Sequence, residues 1–390
     1  MRTVRAPLVL AAALAALALA AACGGGGDSD PVERLVASDG TTLRLLRLDG
    51  DRLVEVSSAA VPSEGLLANH LVFGIVKHPT RDWLYVTSFN DCSGSSGPGC
   101  WGNARIDRFA VSSGRIAWLD RVFAWDASQT LAACTQEDTS AYPGQVGFCA
   151  PVSGTFDAAG TRLYVKEDDY DTLDVFSVAA DGTVTLLAEA ANIDLHGLAV
   201  HPTRPLLYNG PRVVSVAADA PADVLVTGSG GNDTAFVDRT SGPDLLFTTV
   251  NTNAIGVYAL GDPSAPATVG TTLVYGSNRA RAIAANAALT RFVTVGRDHV
   301  QTAAFDGAAL TVEHSLNVNA GAVVENRSVA LLGAGERAAV AWFRPDAAAP
   351  TGFAGGVTLY AIDAATGTLT PGTTLPLAGS GRVVKALRVR

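Results

Sequence analysis

Apolar and polar positions alternate in short runs from residue 33 to residue 390, with no sustained helical period, so the pattern predicts strands throughout. The strands fall into a repeated unit. Its first strand is small and apolar: Gly74-Ile75-Val76-Lys77, Gly197-Leu198-Ala199-Val200, Ala282-Ile283-Ala284 and Ser328-Val329-Ala330. A turn follows, twice spelled His-Pro-Thr-Arg, at 78–81 and 201–204. The second strand carries an aromatic, as in Trp83-Leu84-Tyr85-Val86, Arg162-Leu163-Tyr164-Val165, Leu206-Leu207-Tyr208, Leu245-Leu246-Phe247 and Arg291-Phe292-Val293. The third strand alternates (Ile106 to Val111, Leu173 to Val178, Ile255 to Leu260, Val357 to Ile362). A tight turn leads to the fourth: Asp49-Gly50, Ser113-Gly114, Asp181-Gly182, Asp306-Gly307 or Thr366-Gly367. Glycine there supplies the positive φ that a tight hairpin asks for.

Four strands per unit of roughly 40–50 residues predict an all-β, seven-bladed β-propeller of four-stranded antiparallel blades. First strands beginning near Gly74, Gly154, Gly197, Thr234, Ala282 and Ser328 give six units. Residues 33–62 hold three more strands without a first one, and Val383 to Arg390 is a first strand without the other three. Joined, the two ends make a seventh blade and leave no open sheet edge. A β-sandwich would explain neither the unit count nor the leftover end strands.

The first 32 residues read differently. Arg2 and Arg5 precede an apolar run from Ala6 to Ala22, followed by Cys23. A charged start, an apolar core and small residues at the cut mark a secretory signal. A run of 17 residues is at the short limit for crossing about 30 Å of hydrocarbon. Ala20-Ala21-Ala22-Cys23 resembles a bacterial lipobox, which implies cleavage before Cys23, a thioether lipid and an N-acyl chain such as palmitate. The expected layout is a signal peptide at 1–22, a lipidated Cys23 with a flexible tether to residue 32, and one propeller domain over 33–390. Gly24 after the cysteine favours an outer membrane where one exists. The partners expected are therefore a membrane through Cys23 and a small anionic ligand or an envelope protein, with the chain a monomer.

Composition narrows this further. Hydrophobic residues at 48% and charged residues at 17% exclude a disordered chain. A formal charge of −9, becoming −11 once Arg2 and Arg5 are removed, argues against a nucleic-acid partner. Four cysteines remain after Cys23, an even number for an exported chain. Pairing of neighbours, Cys92–Cys100 and Cys134–Cys149, is the simplest of three connectivities. A zinc site lacks both a CxxC spacing and a nearby His.

The repeat resembles that of the lactonase-type, 6-phosphogluconolactonase-like seven-bladed propellers. Gly197-Leu198-Ala199-Val200-His201-Pro202 followed by Leu206-Leu207-Tyr208 carries the resemblance, as does Val357 to Leu369. It implies the propeller fold and a lactone-opening site at the channel mouth, with Arg281, Arg327 and His196 at family positions. Where the family has an Arg-His pair the chain reads Arg281-Ala282, and no matching Glu follows the second strand at Tyr208-Asn209-Gly210-Pro211. The primary expectation is therefore a non-catalytic ligand- or protein-binding module. The alternative is a lactone hydrolase, with His196 as general base and Arg281 and Arg327 stabilising the oxyanion.

Residues opening the first strands should ring the channel mouth: His70, His196, Asp233, Arg279 or Arg281, Glu325, Arg327 and Arg382. Several arginines there suit a carboxylate or phosphate. Internal pairing, Arg327 with Glu325 and Arg281 with Asp233, is the structural alternative. His78 and His201 sit in turns on the opposite face and are expected to be structural. Glu167, Asp168, Asp169 and Asp171 read as a solvated acidic loop rather than a calcium site. No metal or cofactor is expected.

Overall fold

The computed structural model describes residues 33–62, 70–90, 102–125, 151–167, 172–190, 193, 197–217, 221–225, 231–237, 239, 242–250, 253–273, 280–286, 291–318, 324–348, 353–377 and 386–389. Among them lie seven four-stranded antiparallel sheets and no helix. Blade 1 is built from both chain ends. Ala386–Val389 pairs antiparallel with Arg34–Ser38, Val36 opposite Leu387, and Thr42–Asp49 and Arg52–Ala60 follow outward. Arg388 reinforces the closure with an ion pair to Glu33 at 2.5 Å. Blades 2 to 7 open with first strands His70–Lys77, Pro151–Phe156, Ala199–Val200, Gly231–Val237, Ala280–Ala285 and Glu325–Leu332. All six expected starts fall in these strands or, for Gly197, just before one. Each first strand touches the next around the ring, and that of blade 7 touches Ala386–Val389, so the ring is closed.

The two-residue period of a strand sends alternate side chains to opposite blade neighbours. In the second strand of blade 2, Leu84 and Val86 pack against blade 1, while Tyr85 packs against Phe156 and Phe176 of blade 3. The buried apolar residues accordingly divide into seven clusters, one at each blade–blade boundary. Among the described residues the hydrophobic stabilisation therefore lies between blades.

Polar contacts on the face away from the mouth add to this. The Tyr85 hydroxyl donates to the Gly182 carbonyl at 2.8 Å, Tyr208 to that of Pro263 at 3.0 Å and Thr302 to that of Gly367 at 2.6 Å. In each case one blade holds the turn between third and fourth strands of the next. Gly182 needs its φ of +88°, and its lack of a Cβ lets Arg108 and Trp83 close over it. Gly50, Gly307 and Gly367 also take positive φ, whereas the turn at Ser113-Gly114 closes by Ser112 N–H to Arg115 carbonyl without it.

The two His-Pro-Thr-Arg turns are structural. The Thr80 and Thr203 amides donate to Nδ1 of His78 and His201, both at 3.2 Å. Nε2 of His78 then donates to the Gly160 carbonyl of blade 3 at 3.1 Å. Burial pushes the His78 pKa down, so the ring stays neutral in this role. Glu167 departs from the solvated loop expected for it. It ends the second strand of blade 3 and is wholly buried, because both faces of that strand are covered by neighbouring blades. Asp168, Asp169 and Asp171 lie outside the described residues.

Candidate active site

Chain direction puts the start of every first strand, and every turn between second and third strands, at one end of the ring. Five first strands carry one extra residue near that end. The register skips Phe73, Val152, Asn232, Arg281 and Arg327, each a β-bulge at the equivalent place in its blade. A bulge breaks the alternation and re-aims the extra side chain. In blades 6 and 7 that side chain is an arginine.

The charges of both arginines lower the pKa of Glu325, the first residue of the first strand of blade 7. Arg327 Nη2 lies 2.7 Å from Glu325 Oε2, and its guanidinium sits over the Phe343 ring at 5.3 Å. Phe343 pairs directly across the strands with Glu325, so ring and carboxylate fix the Arg327 plane together. Arg297, from the turn between second and third strands of blade 6, reaches Glu325 Oε1 at 3.0 Å. Burial alone would push the Glu325 pKa up, but Arg327 first, then Arg297 and Arg281, outweigh it and hold it below the usual carboxylate range. Two guanidinium groups thus pair with one ionised carboxylate, and the charge of Arg281 adds to their field.

The expected pairing of Arg327 with Glu325 is present. Asp233 is engaged with backbone: Oδ1 accepts the Thr234 amide at 3.0 Å, and Oδ2 accepts the Ile283 amide of blade 6 at 3.1 Å. It ties two first strands together two residues beyond Arg281. Asn209, where the sequence offered no Glu, is buried and has a comparable task. Its Nδ2 donates to the Gly197 carbonyl at 2.7 Å, and its Oδ1 accepts the Gly231 amide at 2.6 Å. Gly197 itself packs on the Asp233 backbone so closely that a Cβ has no room.

His70 opens the first strand of blade 2, opposite Asn90. His196, Arg279, Arg382, Cys23, Cys92, Cys100, Cys134 and Cys149 lie outside the described residues, and with them the lipid and disulfide expectations. The sequence reading missed Arg297, Asp298 and His299. They form the mouth-side turn of blade 6, with His299 Nδ1 2.6 Å from Asp298 Oδ1. The signal was an adjacent acid and histidine in a loop on the mouth face. Cavities of about 410 and 440 Å³ open on the opposite face, beside His201–Pro205 and at the Lys77–Leu387 end of the channel, away from the arginines.

No family model and no curated protein matches the chain. Solved structures do. The periplasmic gluconolactonase PpgL of Pseudomonas aeruginosa superposes with a TM-score of 0.64 at 16% identity, over 92% of this chain and 99% of that one. A putative 6-phosphogluconolactonase from Bacteroides fragilis gives 0.64 at 14% identity, over 94% and 100%. A second from Bacteroides uniformis gives 0.61 at 14%, over 92% and 100%. The fold is that of the lactonase-type propellers. At this identity the likeness extends to the seven-bladed architecture, and the chemistry of this chain has to be argued from its own residues.

Proposed function

We propose that this chain is an exported lactone hydrolase working at the channel mouth, between blades 6 and 7. The observation that carries the reading is the pairing of Arg297 and Arg327 with Glu325 at the mouth, with the charge of Arg281 acting on the same carboxylate. Water attack on a lactone carbonyl turns its oxygen into an oxyanion, and guanidinium groups fixed in advance stabilise that charge more than they stabilise the ground state. Glu325 stays ionised, so it orients the arginines and is not an acid at neutral pH. Three structural neighbours are named as a gluconolactonase and two putative 6-phosphogluconolactonases, and those names favour hydrolysis over the non-catalytic module. Were the chain only a binding module, the same cluster would hold a carboxylate or phosphate without turnover. The periplasmic neighbour supports export, and Cys23 would supply the lipid anchor to the membrane.

The test is a pH-stat assay of the purified chain against uncharged, carboxylated and phosphorylated five- and six-membered lactones. Arg281→Ala and Arg327→Ala should each lower kcat about 10²–10³-fold, the usual effect of losing one oxyanion donor. Absence of turnover with every lactone, or variants as active as the parent, would remove the reading.

A further inference from the structure

The arginine cluster supplies charge stabilisation but no base. A general base must accept a proton from water, and each arginine is a permanent cation. Glu325 is spent on two ion pairs. The turn that contributes Arg297 also presents Asp298 and His299.

We propose that His299, oriented by Asp298, is the general base of the lactone hydrolysis proposed above, on which this inference rests. The geometry selects the tautomer. Asp298 Oδ1 lies 2.6 Å from His299 Nδ1, and an ionised carboxylate only accepts, so Nδ1 carries the proton. The lone pair is then on Nε2, the arrangement a histidine base requires. The His299 side chain is 23% exposed and that of Asp298 15%, so the pair lies at the surface of the mouth-side turn.

The turn is held from both sides. Asn326, the residue between Glu325 and Arg327, donates through Nδ2 to the Gly296 carbonyl at 2.8 Å and the His299 carbonyl at 3.4 Å. On the other side the Val318 amide donates to the Asp298 carbonyl at 2.8 Å. The base and the arginine cluster are therefore fixed in one frame, with Asn326 common to both. His299 opens the third strand of blade 6 opposite Asn317, and Arg297 of the same turn reaches Glu325. Asp298 is a positioning residue, since it acts through the histidine.

In the reaction, His299 Nε2 takes one proton from water as the water oxygen bonds to the lactone carbonyl carbon. The carbonyl oxygen becomes an oxyanion facing the guanidinium groups. As the tetrahedral centre collapses, the bond to the ring oxygen breaks and the imidazolium returns its proton to that oxygen. The product is an open-chain hydroxy acid, whose new carboxyl group releases its proton to solvent. Atoms and charge balance with water as the only co-reactant.

The experiment has two arms on the full chain. In the kinetic arm, His299→Gln should lower kcat roughly 10²–10⁴-fold with KM within about threefold. In the spectroscopic arm, ¹⁵N-imidazole NMR should show the Nδ1–H tautomer for His299 in the unaltered chain. In Asp298→Asn, whose amide can donate to Nδ1, it should show the Nε2–H form together with a lower kcat. An active parent with an equally active His299→Gln overturns the base and leaves the hydrolase standing. So does an Nε2–H tautomer in the unaltered chain. A parent that opens no lactone overturns both.

Discussion

Replacing Asp174 with Asn should free the protein from a penalty that grows with pH. Asp174 lies in the third strand of blade 3 and is wholly buried. It pairs across the strands with Glu189 on one side and Val165 on the other. The indole Nε1–H of Trp125, from blade 2, donates to its Oδ2 at 2.9 Å. Burial first, and then the Glu189 charge, push its pKa up to about 8, and the Trp125 hydrogen bond and Lys166 offset only part of that. An unfolded Asp titrates near 3.9. Between the two values the native state binds more protons, so stability falls as pH rises through that window. From those two pKa values, the native penalty is small near pH 4 and grows to the order of 4 kcal/mol by neutral pH. Asparagine keeps an oxygen for Trp125 and offers an amide to Glu189, without the charge. Asp174→Asn should therefore gain on the order of 3 kcal/mol over the parent between pH 5 and pH 8, with the two nearly equal near pH 4. The assay is guanidinium unfolding followed by tryptophan fluorescence and circular dichroism at each pH, and the difference between the two proteins isolates this group. Parallel pH profiles, or a variant less stable at pH 8, would refute the reasoning.

Deleting residues 386–390 removes the strand that closes blade 1, including Val389, which is buried among Val36, Leu43 and Val72. The loss should exceed about 3 kcal/mol from apolar burial alone, and the thermal transition should drop and broaden as the ring opens; an unchanged transition would refute the closure as a source of stability. Changing Cys23→Ser should abolish incorporation of labelled fatty acid and release the chain from the membrane fraction, and a mutant that still takes up label would rule out the lipobox.

The propeller was legible because its signals repeat. Small apolar first strands, aromatic second strands and glycine turns recur around the ring, and the leftover strands at 33–62 and 383–390 had one sensible partner, each other. Asp174 shows where that reading stopped. In a two-layer sheet a polar residue on an alternating strand faces water. In a propeller both faces of an inner strand are covered by neighbouring blades, so Asp174 and Glu167 are buried in spite of the alternation. The period announces the strand and says nothing about what lies over each face.

The site failed to declare itself for a related reason. Arg281 and Arg327 could be matched to strand starts, but a bulge changes register by one residue and leaves no mark on composition. Read with an unbroken period, Arg281 would share a face with Ile283, and Arg327 with Val329. The bulges at Ala280/Ala282 and Asn326/Ser328 break that continuity; Arg327 is set on Glu325, and the Arg281 charge acts on the same carboxylate. Phe73 and Val152 occupy the same bulge position in blades 2 and 3, so the backbone device belongs to the fold and the chemistry to the residue placed on it. That division concentrates the cationic pair at the boundary of blades 6 and 7. It is also there that the turn carrying Arg297, Asp298 and His299 reaches Glu325, through an ion pair that no periodicity in the chain encodes.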